Sequence, residues 1–258
     1  MRTGRPYSQP RFYEIAFGFV DPVRQADLLL THARWHARVR ARAFLDVGCG
    51  PAPQLRELAR RGYRAVGLDR SERMLAHLRA RARAEGLRIE TVRADMRSFR
   101  LRERVDVAFI MMGTIAYLGD NDEVLGHLRS VAGAVKRGGL YVIENMKLDW
   151  AGEGGGPLFG GQVWTAADGD TEVRTTYGVR LVDALTQTLE ETLTLEVDDG
   201  GERWRLTDRA LTKMVLPEEF RALVRLEGSF EFVGWFERLS PKRLRKASFD
   251  NIAVLRRR

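Results

Sequence analysis

The sequence predicts an α/β protein: a mostly parallel sheet with helices on both faces, and an inserted antiparallel sheet. Residues 43–69 read as a strand, a glycine turn, a helix and a second strand that ends on an acid. Strand and helix patterns then alternate as far as residue 145. Beyond the glycine-rich residues 151–161, four segments of alternating apolar and polar residues are separated by turn residues, as in antiparallel strands.

Length and composition limit the class of protein. A chain of 258 residues can hold one large α/β domain with an inserted subdomain. No apolar run is long enough to span a bilayer, and the N-terminus lacks a signal-peptide core, so we expect no membrane association. Cys49 is the single cysteine, which fits a reducing compartment and predicts a cytoplasmic location.

The charge pattern favours a solvated surface over a nucleic-acid footprint. The formal net charge of +8 comes almost entirely from arginines. These arginines are spread over every segment and are interleaved with acids, whereas a nucleic-acid footprint concentrates basic residues on one patch. Nucleic acid is therefore a disfavoured partner, although it is not excluded.

Four segments are expected along the chain. The first ten residues are polar and are expected to be flexible or draped over the domain, and Asp21-Pro22 predicts a helix that runs to about Arg40. The predicted boundaries are 1–42 for an N-terminal cap and helix, 43–150 for the nucleotide-binding core, 151–215 for the inserted antiparallel subdomain, and 216–258 for the C-terminal part of the core.

The glycine turn separates two kinds of nucleotide binder. Gly48 and Gly50 allow a sharp turn and a close approach of ligand to backbone, and Asp69 lies about 20 residues on, where an acid can take two ribose hydroxyls. Pro53 stands where a dinucleotide fingerprint requires its third glycine. Asp46 would repel a pyrophosphate, but it suits a ligand that carries an ammonium group.

These residues resemble the class I S-adenosylmethionine-dependent methyltransferases. The run LDVGCG at residues 45–50 is similar to the first motif of that family, with Ala52 where the family usually has glycine. The run KRGGLYVIE at residues 136–144 is similar to its entry into strand five. The resemblance implies a Rossmann-like methyltransferase fold and S-adenosylmethionine as cofactor. The alternative is a glycine turn in an unrelated sheet.

The resemblance also assigns cofactor contacts. It implies that Asp95 meets the adenine amino group and that Met96 lies against the ring, although Asp95 could instead cap a turn. Residues 112–118 correspond to the segment that faces the methyl group and the substrate. The predicted cofactor-binding residues are Asp46, Gly48, Cys49, Gly50, Asp69, Arg70, Asp95, Met96 and Met112.

No compact catalytic constellation is visible, and methyl transfer needs none, because the protein mainly positions donor and acceptor and excludes water. Tyr13, Tyr117, Glu144 and Asn145 are the polar groups expected to line the acceptor pocket. Of these, Tyr117, Glu144 and Tyr13 are the predicted catalytic residues, with Tyr117 or Glu144 as proton acceptor. By the resemblance, Tyr7 and Tyr13 are candidate lid residues; the alternative is that they only pack.

The acceptor class is narrowed by what the sequence lacks. Methylation of pyrimidine carbon usually employs a cysteine after the fourth strand, and exocyclic base methylation an Asn/Asp-Pro-Pro-aromatic tetrad. This chain has Met112-Gly113-Thr114-Ile115 there. We therefore expect a small-molecule N or O nucleophile as acceptor. The alternatives are an RNA or tRNA methyltransferase that uses the basic loop 238–246, and a catalytically silent cofactor-binding module.

The last two features to interpret are the acids at residues 120–123 and the role of the inserted sheet. The acids of residues 120–123 could hold Mg²⁺, but they stand where a helix begins and are expected to cap it, so no metal is predicted. The inserted sheet is expected to act as a lid over the active site. It could also pair two copies of the chain, so the expected oligomeric state is a monomer or a homodimer.

Overall fold

The computed structural model describes residues 1–148, 160–238 and 240–258, and these residues form two sheets and six α-helices. Most of the predicted glycine-rich linker, and the predicted boundary at residue 150, lie outside the described residues. The strands are β1 (Arg2–Gly4), β2 (Ala43–Val47), β3 (Arg64–Asp69), β4 (Ile89–Arg93), β5 (Val105–Ile110), β6 (Val135–Glu144), β7 (Gly160–Asp168), β8 (Thr171–Asp183), β9 (Thr188–Asp199), β10 (Glu202–Lys213), β11 (Phe230–Glu237) and β12 (Asn251–Arg257). The helices are α1 (Pro10–Ala16), α2 (Pro22–His36), α3 (Pro53–Arg60), α4 (Glu72–Ala84), α5 (Asn121–Ala134) and α6 (Pro217–Glu227).

The core sheet has seven strands in the order β11-β12-β6-β5-β2-β3-β4. From β4 to β6 all neighbours are parallel, while β12 and β11 run antiparallel at one edge. The chain leaves β2 toward β3 and β4 and then crosses to β5, so the strand order reverses between β2 and β5. Ligands in open α/β sheets bind beyond the carboxyl ends of the strands at such a point.

Burial explains the apolar composition of the central strands. Every residue of β2 and of β5 is buried, as expected for parallel strands covered on both faces. One apolar cluster lies on each face of this sheet. The predicted caps are confirmed: Ser71 accepts a hydrogen bond from the first turn of α4, and Asp120 does the same for α5.

The inserted sheet has five strands in the order β1-β10-β9-β8-β7. Strands β7 to β10 form an antiparallel meander, as the alternating pattern predicts. Inner-face side chains such as Val173, Leu195 and Leu206 are buried against Phe12 and Ile15 of α1. The opposite face carries exposed charged residues, so this sheet buries one side only.

The N-terminal region differs from the prediction in several details. Residues 2–4 form strand β1, which pairs in parallel with β10. Of the two expectations for the first ten residues, flexible or draped over the domain, the second therefore fits these residues. Helix α2 ends at His36 and not near Arg40, because the chain turns there toward β2. Near the start of α2, Val23 is 49% exposed. No helix in the part of the chain that the structure describes combines the length and apolar character needed to cross a bilayer.

Candidate active site

The glycine turn after β2 adopts left-handed backbone conformations at three positions. Gly48 has φ +69°, Gly50 φ +50° and Ala52 φ +52°. A Cβ on Gly48 would lie 2.7 Å from Cγ2 of Thr114, so this glycine allows the segment after β5 to approach closely. A Cβ on Gly50 would meet nothing within 4 Å, so the space in front of it is open. The left-handed φ of Ala52 explains why glycine is usual there.

Asp69 is held at the end of β3 by backbone donors. Its Oδ2 accepts a hydrogen bond from the Gly50 amide (2.9 Å), and its Oδ1 accepts one from the Ser71 amide (2.8 Å). Burial raises the pKa of this carboxyl, against the opposing effect of these donors. A carboxylate oxygen carries more than one acceptor site, so both oxygens can still bind hydroxyl groups.

Asp46 is a buried acid without a cationic partner among the described residues. Its side chain is 3% exposed. Burial and then the charges of Asp69 and Glu144 raise its pKa well above the usual range. A bound cation would reverse that effect, so the site is suited to an ammonium group. The neighbouring Cys49 is also buried, and burial raises the pKa of its thiol, so it is not a reactive thiolate.

A cavity in front of the turn brings together part of the predicted site. It is lined by the turn after β2, by α1 and by the segment after β5. Six predicted site residues line it: Tyr13, Asp46, Gly48, Cys49, Gly50 and Met112. Six do not: Asp69, Arg70, Asp95, Met96, Tyr117 and Glu144.

The residues expected at the adenine ring have other contacts in this structure. Asp95 accepts hydrogen bonds from Arg97 N and Nε (each 2.9 Å) and Nη2 (2.6 Å), which is the turn-capping alternative. Met96 is partly buried against the core, and its carbonyl accepts a hydrogen bond from His127 Nδ1 at 2.8 Å. Arg70 is exposed. Contacts of these residues with the cofactor remain predictions.

Glu144 has a structural environment that differs from the predicted one. Its side chain is 1% exposed, with Oε1 accepting a hydrogen bond from Gln25 Nε2 (2.8 Å) and Oε2 one from the Met112 amide (3.0 Å). Gln25 in turn accepts a hydrogen bond from Gln54 of α3. This network holds α2, α3 and the turn after β5 together, and it argues against Glu144 as the proton acceptor. Asn145 follows with φ +57°, and its Oδ1 has no partner among the described residues.

The predicted tyrosines form a chain of contacts beside the cavity. The hydroxyl groups of Tyr7 and Tyr117 are 2.9 Å apart, and the Tyr7 and Tyr13 ring centroids are 5.4 Å apart. Burial raises the pKa of all three phenols well above the usual range. They therefore remain protonated at neutral pH. A protonated phenol can form a hydrogen bond with the methyl acceptor but cannot remove a proton from it.

Helix α1, which lines the cavity, is held on two sides near its C-terminal end. Glu14 forms an ion pair with Arg56 of α3 and a hydrogen bond with His77 Nε2 of α4 at 2.7 Å. On the other side, Trp164 Nε1 of β7 donates a hydrogen bond to the Ala16 carbonyl (2.6 Å). Glu14, Gln25 and Gln54 were not among the residues expected in the site. A polar residue on the apolar face of a predicted helix was the available signal for Gln25.

Comparison with known proteins finds a match to a methyltransferase domain within the chain. Residues 44–139 match the family described as a methyltransferase domain. Over 104 residues the chain is 32% identical to the dTDP-3-amino-3,4,6-trideoxy-alpha-D-glucopyranose N,N-dimethyltransferase of Streptomyces venezuelae, a stretch that covers 40% of this chain and 42% of that relative. The sequence matches span less than half the length of the curated relatives, 44% and 42%.

Solved structures match over nearly the whole chain. Streptomyces venezuelae DesVI has a TM-score of 0.77 at 20% identity, covering 96% of this chain and 98% of that one. Micromonospora echinaspora CalS10, described as a SAM-bound amino pentose methyltransferase, has a TM-score of 0.73 at 20% identity, covering 95% and 96%. The predicted Rossmann-like fold with an added antiparallel sheet is thus confirmed, and residues 44–139 carry the predicted match to a methyltransferase domain.

Proposed function

We propose that this chain, which carries a methyltransferase domain with the class I fold, transfers the methyl group of S-adenosylmethionine to a small molecule, and that the acceptor atom is an amine nitrogen. The observation that carries the proposal is the buried Asp46 carboxylate, without a cationic partner among the described residues, beside the open space at Gly50. This arrangement fits a ligand with an ammonium group that lies against bare backbone.

Each residue of the site would contact a different group of the cofactor. Asp46 would hold the ammonium group, Gly48 and Gly50 would admit the ligand to the main chain, and Asp69 would accept from the ribose hydroxyls. When bound, the sulfonium supplies an already activated methyl carbon, so the protein need not activate the donor. Tyr13 and Met112 line the same cavity and would exclude water from it.

Two observations support an amine on a small molecule over the other acceptors. The Streptomyces relative and CalS10 are named for methylation of amino sugars, and the chain resembles both. In the basic loop 238–246, moreover, Arg238 pairs with Asp250 at 2.9 Å and the Arg243 guanidinium lies over Phe236, so two of its cations are engaged within the protein. An RNA acceptor is therefore the weaker alternative.

Titration calorimetry with S-adenosylmethionine tests the cofactor site. Asp69→Ala should weaken binding by about 1.5–3 kcal/mol, the usual loss for a hydrogen bond to a charged group, or roughly 10- to 150-fold in Kd. Asp46→Asn should weaken it as well, because the amide cannot offset the ammonium charge. Asp168→Ala, which changes an exposed acid at the end of β7, is the matched control and should bind like the unaltered chain.

Turnover separates the acceptor classes. The unaltered chain should convert S-adenosylmethionine to S-adenosylhomocysteine with amino sugars and not with RNA transcripts. Turnover with RNA would support the alternative, and cofactor binding without turnover of any acceptor class would support a silent binding module. Failure of the unaltered chain to bind S-adenosylmethionine would contradict the proposal altogether.

A further inference from the structure

A second polar cluster lies beyond the cavity, on the inner face of the inserted sheet. Tyr177 of β8 donates a hydrogen bond from its hydroxyl to Glu191 Oε2 (2.8 Å). Lys147 Nζ forms an ion pair with Glu191 Oε1 and also donates to Thr212 Oγ1 (3.4 Å). Glu191 is 9% exposed, and the Lys147 side chain is 10% exposed. A pair of opposite charges is thus largely removed from water.

Glu191 interrupts an otherwise apolar row of inward-facing side chains on β9. On β9 the side chains that face inward alternate with those that face solvent, because successive residues of a strand point to opposite faces. The inner row of β9 consists of Leu189, Glu191, Leu193, Leu195 and Val197. Removing charges from water is costly even when they are paired, and an apolar pair would often stabilise a fold as well. Stability alone is therefore a weak explanation for an acid at this position.

The cluster is continuous with the cofactor cavity. Tyr13 lines the cavity, its ring lies against Tyr7, and the Tyr7 hydroxyl meets that of Tyr117. Residues 6–8, which carry Tyr7, contact β9, the strand of Glu191, and residues 114–117, which carry Tyr117, contact β10. The charge of Glu191 also adds to the effect of burial in raising the pKa of each of these three phenols. Lys147 comes three residues after β6 ends, at the ligand-binding edge of the core sheet. A group held at Glu191 would thus lie between the core and the inserted sheet.

We propose that Glu191 binds the amino group of the methyl acceptor, and that Lys147 Nζ occupies the same carboxylate until the acceptor displaces it. This inference rests on the proposed function. An acceptor amine resembles the lysine ammonium group, so the ion pair marks a position where a nitrogen with N–H donors fits. On displacement Lys147 keeps Thr212 as a partner. A hydroxyl acceptor would give the carboxylate a single O–H donor and would compete poorly with the lysine.

The chemistry balances without an added base. The acceptor displaces the lysine as an ammonium, loses one proton to solvent, and as the free amine donates an N–H to Glu191. The nitrogen lone pair forms the new N–C bond while the S–C bond breaks, and the electrons of that bond go to sulfur. The positive charge moves from sulfur to nitrogen, where the carboxylate stabilises it. The extra proton on the methylated ammonium then leaves to solvent on release.

Three variants test the inference through binding to the complex with S-adenosylhomocysteine. The probes are 3-amino-3-deoxyglucose and glucose, which differ in one amino or hydroxyl group, and Kd is measured by calorimetry. The unaltered chain should bind the amine at least 10-fold more tightly than the hydroxyl compound. Glu191→Gln should remove that preference, whereas Lys147→Met should strengthen amine binding several-fold because the competing ammonium is gone. Glu196→Gln, on the outer face of the same strand, is the control and should change nothing.

The opposite signs of the first two variants distinguish recognition from a structural role. If the ion pair only stabilises the sheet, both variants should lower the melting temperature and neither should alter the ratio of amine to hydroxyl affinity. That result, or an unaltered chain that binds both probes equally, would overturn the inference. Should Glu191→Gln fail to fold, the Lys147→Met result decides the question alone.

Measuring the affinity for S-adenosylmethionine tests this inference separately from the proposed function. All three variants should bind S-adenosylmethionine with the affinity of the unaltered chain, because no residue changed lines the cofactor cavity. An unaltered chain that binds the cofactor and shows no amine preference would overturn the role of Glu191 and leave methyl transfer standing. An unaltered chain that does not bind the cofactor would contradict both.

Discussion

The core sheet and the inserted sheet bury their residues in different ways. Strands β2 and β5 of the core are buried along their whole length, because helices cover both faces. Strand β9 of the inserted sheet alternates between buried and partly exposed residues. In the core, the groups proposed to meet the cofactor come from the turns at the strand ends. In the inserted sheet, Glu191 stands within a strand.

This difference suggests a division of labour. A sheet covered on both faces has little room for polar groups within its strands, so its site is confined to one edge. A sheet with one face turned to a pocket can place a polar side chain at any inward position. The inserted sheet is therefore suited to define the acceptor, and the edge of the core sheet is suited to bind the proposed cofactor.

The largest expected effects come from cavities in the two sheets. Leu45→Ala in β2 and Leu195→Ala in β9, both fully buried, should each lower the free energy of unfolding by about 2–5 kcal/mol in urea denaturation. Leu195→Ala should also weaken S-adenosylmethionine binding, since Leu195 packs under α1, which carries Tyr13 to the cavity.

The exposed Leu211, on the outer face of β10, supplies the control for both cavity variants. It is 63% exposed, so Leu211→Ala should stay within about 0.5 kcal/mol of the unaltered chain. If Leu195→Ala were as mild as this control, the inserted sheet would not share a cooperative core with α1.

Acid should destabilise the core sheet selectively. His32 and His127 are fully buried, and burial lowers the pKa of each to about 4. The unfolded chain takes up these protons near pH 6.5, so stability is full above that pH and falls as the pH drops from 6.5 to 4. Each histidine contributes up to about 3 kcal/mol to this loss. The inserted strands β7–β10 carry no histidine.

His32 allows a clean test, because neither ring nitrogen has a partner among the described residues. His32→Leu should leave stability at pH 7 within about 1.5 kcal/mol of the unaltered chain. It should reduce the loss between pH 7 and pH 4.5, measured by urea denaturation at both values. An unchanged acid dependence would show that His32 is not kept neutral by burial.

The smallest effect concerns the junction between α1 and the inserted sheet. Trp164→Phe removes the hydrogen bond to the Ala16 carbonyl but keeps an aromatic ring beside Phe17 and Phe19. The loss should be about 1 kcal/mol in thermal or urea unfolding. A much larger loss would show that this contact, and not the apolar cluster, holds the two regions together.

The sequence by itself determined the core fold and the glycine turn. Each strand, cap and turn there depends on residues that are close along the chain, so apolar periodicity, Ser71, Asp120 and the Gly48–Gly50 spacing suffice to predict them. The meander of the inserted sheet was predicted for the same reason. Local signals also placed Asp69 at the end of β3, next to the turn it binds.

The tertiary structure alone decided which polar groups meet across long separations. Glu144 matched a strand-end pattern, but whether its carboxylate faces a pocket or Gln25 depends on how α2 packs, 119 residues away in sequence. In the sequence, Glu191 is one of several acids in a strand whose apolar and polar residues alternate. Its burial against Lys147, and the contact of β9 with the turn that carries Tyr7, arise only when the inserted sheet folds back onto the core, and local periodicity carries no information about either contact.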